Sequence, residues 1–97
     1  MSANPLRGEA VVAGRVLRPT FTALVGAEEE LGPLFALVER AASGALKLSE
    51  MVALFWHCLV QRDDLERDSF GAAVMEDGLA AATPALKILL GQILGGK

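Results

Sequence analysis

One cysteine, Cys58, stands in the whole chain of 97 residues. A lone thiol excludes an internal disulfide, and the cytoplasm is the expected compartment. Histidine is equally sparse: His57 is the only one, so no Cys/His metal-ligand spacing exists. Positive charge is also short. Nine Lys and Arg against twelve Asp and Glu leave a net charge of −3. That balance speaks against nucleic acid, whose phosphates need a basic field to neutralise them. No apolar run reaches the roughly 20 residues of a membrane span. The best stretch, Leu79 to Leu94, is shorter and contains Thr83, Pro84, Lys87 and Gln92. The start of the chain, Met1 to Leu6, lacks the charged and apolar regions of a signal peptide. Phosphate loops, dinucleotide fingerprints and basic helix-turn-helix patterns are missing too. The expectation is a protein that is no enzyme, holds no cofactor or metal, and binds neither nucleic acid nor membrane.

What the chain does have is apolar material. The hydrophobic fraction is 53% and the mean hydropathy +0.42. A chain of this length forms one domain with a thin core, and some of that apolar area should stay at the surface. Exposed apolar patches mark interaction sites, so a partner or a homo-oligomer is implied. The densest stretch is Met51 to Val60, MVALFWHCLV, apolar at every position except His57. As a helix it carries two stripes, Met51, Leu54, Phe55, Cys58 and Leu59 on one side and Val52, Trp56 and Val60 on another. Such a helix belongs at the centre of a core, or in a core with one face turned to a partner.

The rest of the chain arranges itself around that helix. Two β-rich runs flank Gly14 between Glu9 and Pro19. A type II′ turn at Gly14-Arg15 would pair Val12 with Leu17 and Val11 with Arg18. A hairpin alone is marginal in water, so it has to lie on the helices or extend a neighbour's sheet. Thr20 is placed to cap a helix with Phe21, Leu24, Val25 and Leu31 on its apolar face and Glu28, Glu29 and Glu30 toward water. Gly32-Pro33 breaks it. A second helix, Pro33 to Ser43, places Leu34, Leu37, Val38 and Ala41 inward, with Phe35 widening the stripe. Ser49 caps the central helix, Glu50 to Arg62. Asp68 caps a fourth, Ser69 to Glu76, with Phe70 and Val74 inward. In the last, Leu79 to Leu94, Leu79, Ala82, Leu86, Leu89 and Ile93 follow the alternating three-four spacing of helix-on-helix packing. There Thr83 caps a fresh start at Pro84, or the helix kinks.

Three groups invite a chemical reading and fail it on spacing. His57 and Cys58 are helix neighbours, about 100° apart, with no third group to orient the imidazole. Asp63, Asp64, Glu66 and Asp68 lack the alternate ligand positions, central Gly and final Glu of a calcium loop. Gly91 and Gly95 form a lone G-x-x-x-G, whose close-packing logic belongs to membrane helices. For a partner surface the candidates are Phe55, Trp56 and Leu59 with Leu86, Leu89 and Ile93, although each taken singly reads first as core.

Four motifs in order carry a family resemblance: RPTFTAL (Arg18 to Leu24), EEELG (Glu28 to Gly32), ASGALKLSE (Ala42 to Glu50) and GLAAATPAL (Gly78 to Leu86). With the strand pair before them and the Leu-rich end, the chain resembles the gene transfer agent family proteins of alphaproteobacteria. These are grouped with phage tail assembly chaperones, although one family label speaks of a tail tube protein. The hairpin departs from the family pattern of a longer turn and an aromatic second strand; this chain has Gly14-Arg15 and Val16. The resemblance implies a non-enzymatic role in tail assembly for a prophage or gene transfer agent. The partners it implies are the tape measure protein and tail tube subunits. The alternatives are a structural tail component, tube or completion protein, or an unrelated helical adaptor. The fold expected is α+β, mainly α, an N-terminal hairpin and four or five short helices in one domain over residues 8–96. The ends, 1–7 and 97, are expected to be flexible.

Overall fold

The computed structural model describes residues 9–95, and the flexible ends expected at 1–7 and 97 lie outside them. Strands β1 (Ala10–Val12) and β2 (Arg15–Leu17) precede helices α1 (Phe21–Leu31), α2 (Leu34–Ala42), α3 (Leu48–Cys58), α4 (Arg67–Asp77) and α5 (Leu79–Gly95). The architecture is α+β and mainly α, as the sequence implies.

The hairpin is antiparallel with Ala10 opposite Leu17, Val11 opposite Val16 and Val12 opposite Arg15. This corrects the register by two residues. Ala13 (φ 51°) and Gly14 (φ 74°) both lie in the left-handed region, the signature of a type I′ turn one residue earlier than Gly14-Arg15. A two-residue shift preserves the alternation, so the inward set survives: Ala10, Val12 and Leu17 are buried and Val11 is exposed. One rung further out, the Arg18 guanidinium donates from Nε to Glu9 Oε2 at 2.5 Å.

The central helix also differs from its expected bounds. It starts at Leu48, not Glu50, because the Glu50 carboxylate accepts from the Lys47 backbone N–H (3.0 Å) while also pairing with Arg40 of α2. Ser49 is therefore inside the helix. It ends at Cys58, four residues before Arg62. There the Arg18 N–H takes the Cys58 carbonyl at 2.7 Å and the Val60 N–H reaches the Val16 carbonyl at 3.1 Å. Leu59 bridges Leu17 in extended geometry. Sheet hydrogen bonds replace the helical ladder, and a one-residue bridge at Leu59 lies along β2 where a third strand would be. The Arg62 guanidinium donates to the Trp56 carbonyl at 3.1 Å and helps close the helix end.

Helix α1 is capped by Thr20, whose Oγ1 accepts from Ala23 N–H at 3.1 Å. Its inner face keeps Leu24 and Leu31 of the expected four and loses Phe21 and Val25. Ala27 is buried and Ala23, Leu24 and Leu31 pack against the core, whereas Phe21 is 83% exposed and Val25 lies at the surface. The small residues allow close approach: a Cβ on Gly26 would stand 3.1 Å from His57 Nδ1 on α3. Phe35 of α2 is likewise out, while Leu34 and Leu37 are buried.

In α4, Phe70 and Val74 are buried as the spacing requires, but Glu66 occupies the cap position and Asp68 the first turn. Helix α5 runs through Pro84 without a new start. The Thr83 hydroxyl donates back to the Leu79 carbonyl at 2.9 Å and caps nothing. Ala82, Ala85 and Leu89 are buried, and β1 packs against this helix. The core gathers around α3, through Met51, Leu54, Phe55 and Cys58.

Candidate functional site

The residues that invite chemistry are occupied structurally. Cys58 is buried, and burial pushes its thiol up to about 12. A thiol so held supplies no thiolate near neutral pH. The imidazole of His57 turns away from it toward α1, with Nε2 2.8 Å from Glu30 Oε1. The same carboxylate receives a fork from Arg67, Nη1 to Oε1 at 3.0 Å and Nη2 to Oε2 at 2.5 Å. The Arg67 guanidinium first, and His57 second, hold the Glu30 carboxyl down at about 2. This cluster ties the ends of α1 and α3 to the start of α4. Asp64 pairs with Arg15 at 3.2 Å, which lowers its pKa. No group of acidic, His or Cys side chains among the described residues is arranged to hold a metal ion. Gly91 has no neighbour that a side chain would meet, so the G-x-x-x-G makes no close helix contact.

The six sequence candidates for a partner surface separate. Phe55 and Leu89 are fully buried and Leu59 is 8% exposed, so they are core. Trp56, Leu86 and Ile93 are half-buried against it. Trp56 packs its ring 6.2 Å from that of Phe70, and the Arg62 guanidinium lies 5.6 Å above the indole. The central helix therefore buries one stripe and half-buries the other against the core, and the exposed apolar surface is carried by its first turn and by other elements.

Phe35, Leu94 and Val11 stand exposed singly, and the rest collects in two places. Phe21 and Val25 border a groove of about 680 Å³ between α1 and the exit of α3, flanked by Arg18, Arg62 and Glu29. On α3, α4 and α5, Leu48 (43% exposed), Met75 (46%) and Leu79 (51%) form a second face. Leu48 lines two adjoining depressions there, of about 520 and 220 Å³, one reaching Met75 and the other Leu79 and Leu86. Of these residues the sequence reading singled out only Leu86 as a contact. It left Leu48 ahead of the expected start of the central helix and put Leu79 in the packing stripe of the last helix. The available signal was Met75: with Phe70 and Val74 inward, its position on a helix wheel is outward.

Among the described residues no single helix is long and apolar enough to cross a membrane. No curated protein and no solved structure matches the chain. The sequence profile of one family, described as Phage tail tube protein, GTA-gp10, matches residues 8–96. With that match spanning nearly the whole chain, the protein belongs to the phage tail tube protein, GTA-gp10 family.

Proposed function

We propose that this protein acts without catalysis as a cytoplasmic assembly factor for phage-type tails. In this reading it holds an apolar helical segment of the tape measure protein until tail tube subunits polymerise around it. The observation that carries the proposal is the apolar surface outside the core. Leu48, Met75, Leu79 and Phe21 stand open on a fold whose buried side chains already form a complete cluster. Apolar side chains presented by helices recognise helical partners by groove packing. Family membership supplies the tail context.

A second reading, a subunit built into the tail, is favoured by the family's own description as a tail tube protein. Co-expression with a tape measure protein from the same genome tests the first. The expected result is a soluble tape measure that co-purifies; an insoluble tape measure and no co-purification reject it. Mass spectrometry of purified particles separates the two readings. A stoichiometric copy number in the particle contradicts an assembly factor that departs.

A further inference from the structure

We infer that the groove along α1 is where two copies of this protein meet, with their α1 helices packed antiparallel across a two-fold axis. The inference goes beyond the assembly-factor reading, and the groove shares no lining residue with the depressions around Leu48. Phe21, Val25 and Glu29 follow one another four residues apart on α1, and such rows are the ridges of helix packing. Thr22 and Gly26, small residues of the neighbouring row, line the groove beside that ridge. Phe21 is 83% exposed at the rim of a hollow of about 680 Å³, which has room for a benzyl side chain. Knob and hole therefore lie side by side on one surface. A two-fold axis sets the knob of each copy over the hole of the other, the self-complementary condition of an isologous interface.

Charge selects a second copy over a partner of one sign. The charged or titratable side chains lining the groove are Arg18, Glu29, His57 and Arg62. Asp63 follows Arg62 in the chain but does not line it. His57 is held by Glu30, and Arg18 by Glu9 with about half of the arginine side chain still exposed. Among the described residues, Glu29 and Arg62 form no ion pair. Of the three consecutive acids, Glu28 accepts from the Leu34 N–H and Glu30 holds His57 and Arg67, so Glu29 alone is uncommitted. The last turn of α1 contains no basic residue and the first turn no acidic one. Both ends of the helix dipole are therefore uncompensated, positive at Phe21 and negative at Glu29. Val25 lies midway, about 6 Å along the axis from each. An antiparallel copy crossing at Val25 sets Glu29 of each chain against the Arg18 end of the other. Both ends are then compensated at once, and Val25 meets Val25. A partner helix of one charge sign would satisfy one end and repel the other.

Sedimentation of the full-length protein over about 10 to 500 µM tests this. The weight-average mass is expected to rise from 10.2 kDa toward twice that value, and added salt should weaken the dimer. Phe21→Ser and Glu29→Lys, both at exposed positions, should each weaken it by about tenfold or more, and Met75→Ser should leave it unchanged. Val25→Cys gives a second readout. At the two-fold axis the introduced thiols come within disulfide reach and should link the chains on mild oxidation, whereas Phe35→Cys, exposed on α2, should not. Native Cys58 is buried and takes no part. The mass of a single chain at every concentration overturns the inference. So does a dimer that Met75→Ser splits and Phe21→Ser spares, or a Phe35→Cys variant that links as fast as Val25→Cys. None of these outcomes decides the co-expression test, so the dimer and the assembly-factor reading fail separately.

Discussion

Replacing Phe55 by Ala removes the largest fully buried side chain of the central helix. Loss of transfer free energy and the cavity left behind together cost about 3–5 kcal/mol for a buried Phe. A domain of this size has a stability of about 5–15 kcal/mol, so one substitution takes a large share of it. At about 4–8 °C per kcal/mol for such a chain, Tm should fall on the order of 20 °C. Phe21→Ala is the control with identical chemistry. Phe21 is 83% exposed, and its truncation should change stability by no more than about 0.5 kcal/mol. Urea unfolding followed by Trp56 fluorescence measures both, with an unchanged m-value marking a pure stability change. The packing argument is refuted if Phe55→Ala costs under about 1 kcal/mol, or if Phe21→Ala costs as much as Phe55→Ala.

Glu30→Gln tests the α1–α3–α4 cluster. The Glu30 carboxyl falls from 4.5 to about 2 on folding, so its stabilisation is complete above the unfolded value and disappears as pH drops toward 2. The side chain is 39% exposed, and solvent screening limits the contribution to about 1 kcal/mol. The stability difference between wild type and variant should therefore be flat above pH 5 and vanish near pH 2 in a denaturation series. Ala13→Asn should stabilise by about 0.5–1 kcal/mol in thermal melts, because Ala pays for the left-handed turn conformation that Asn tolerates. With its thiol pushed up to about 12, Cys58 should resist a thiol reagent at pH 8 in the native protein and react fully in denaturant.

The chemistry of the candidate site was only partly legible in advance. Leu86 was read as a contact and borders the exposed face of Leu48 and Leu79, but Phe55, Leu59 and Leu89 are interior. Met75 and Leu48 escaped notice because neither belongs to a strong periodic stripe: α4 has few apolar residues, and Leu48 precedes the expected start of α3. An exposed face is defined by what fails to cover it, and that is a property of neighbouring elements.

The sequence by itself determined what depends on neighbours along the chain. Thr20 caps α1, Gly32 and Gly78 end helices in the left-handed region, Phe70 and Val74 share a face, and strand alternation sends Ala10, Val12 and Leu17 inward. Each follows from a few consecutive residues and their backbone preferences. Only the tertiary structure decided the rest. Helix α3 ends at Cys58 because Arg18, forty residues earlier, takes its carbonyl. Helix α1 turns Phe21 out because Gly26 and Ala27 let it approach His57 more closely than a Phe stripe could. Those outcomes rest on competition between distant groups for the same hydrogen bonds and the same space. For the same reason the apolar surplus, so plain in the composition, sits on β1, α1, α2, α4, α5 and the first turn of α3, while the body of that central helix packs into the core.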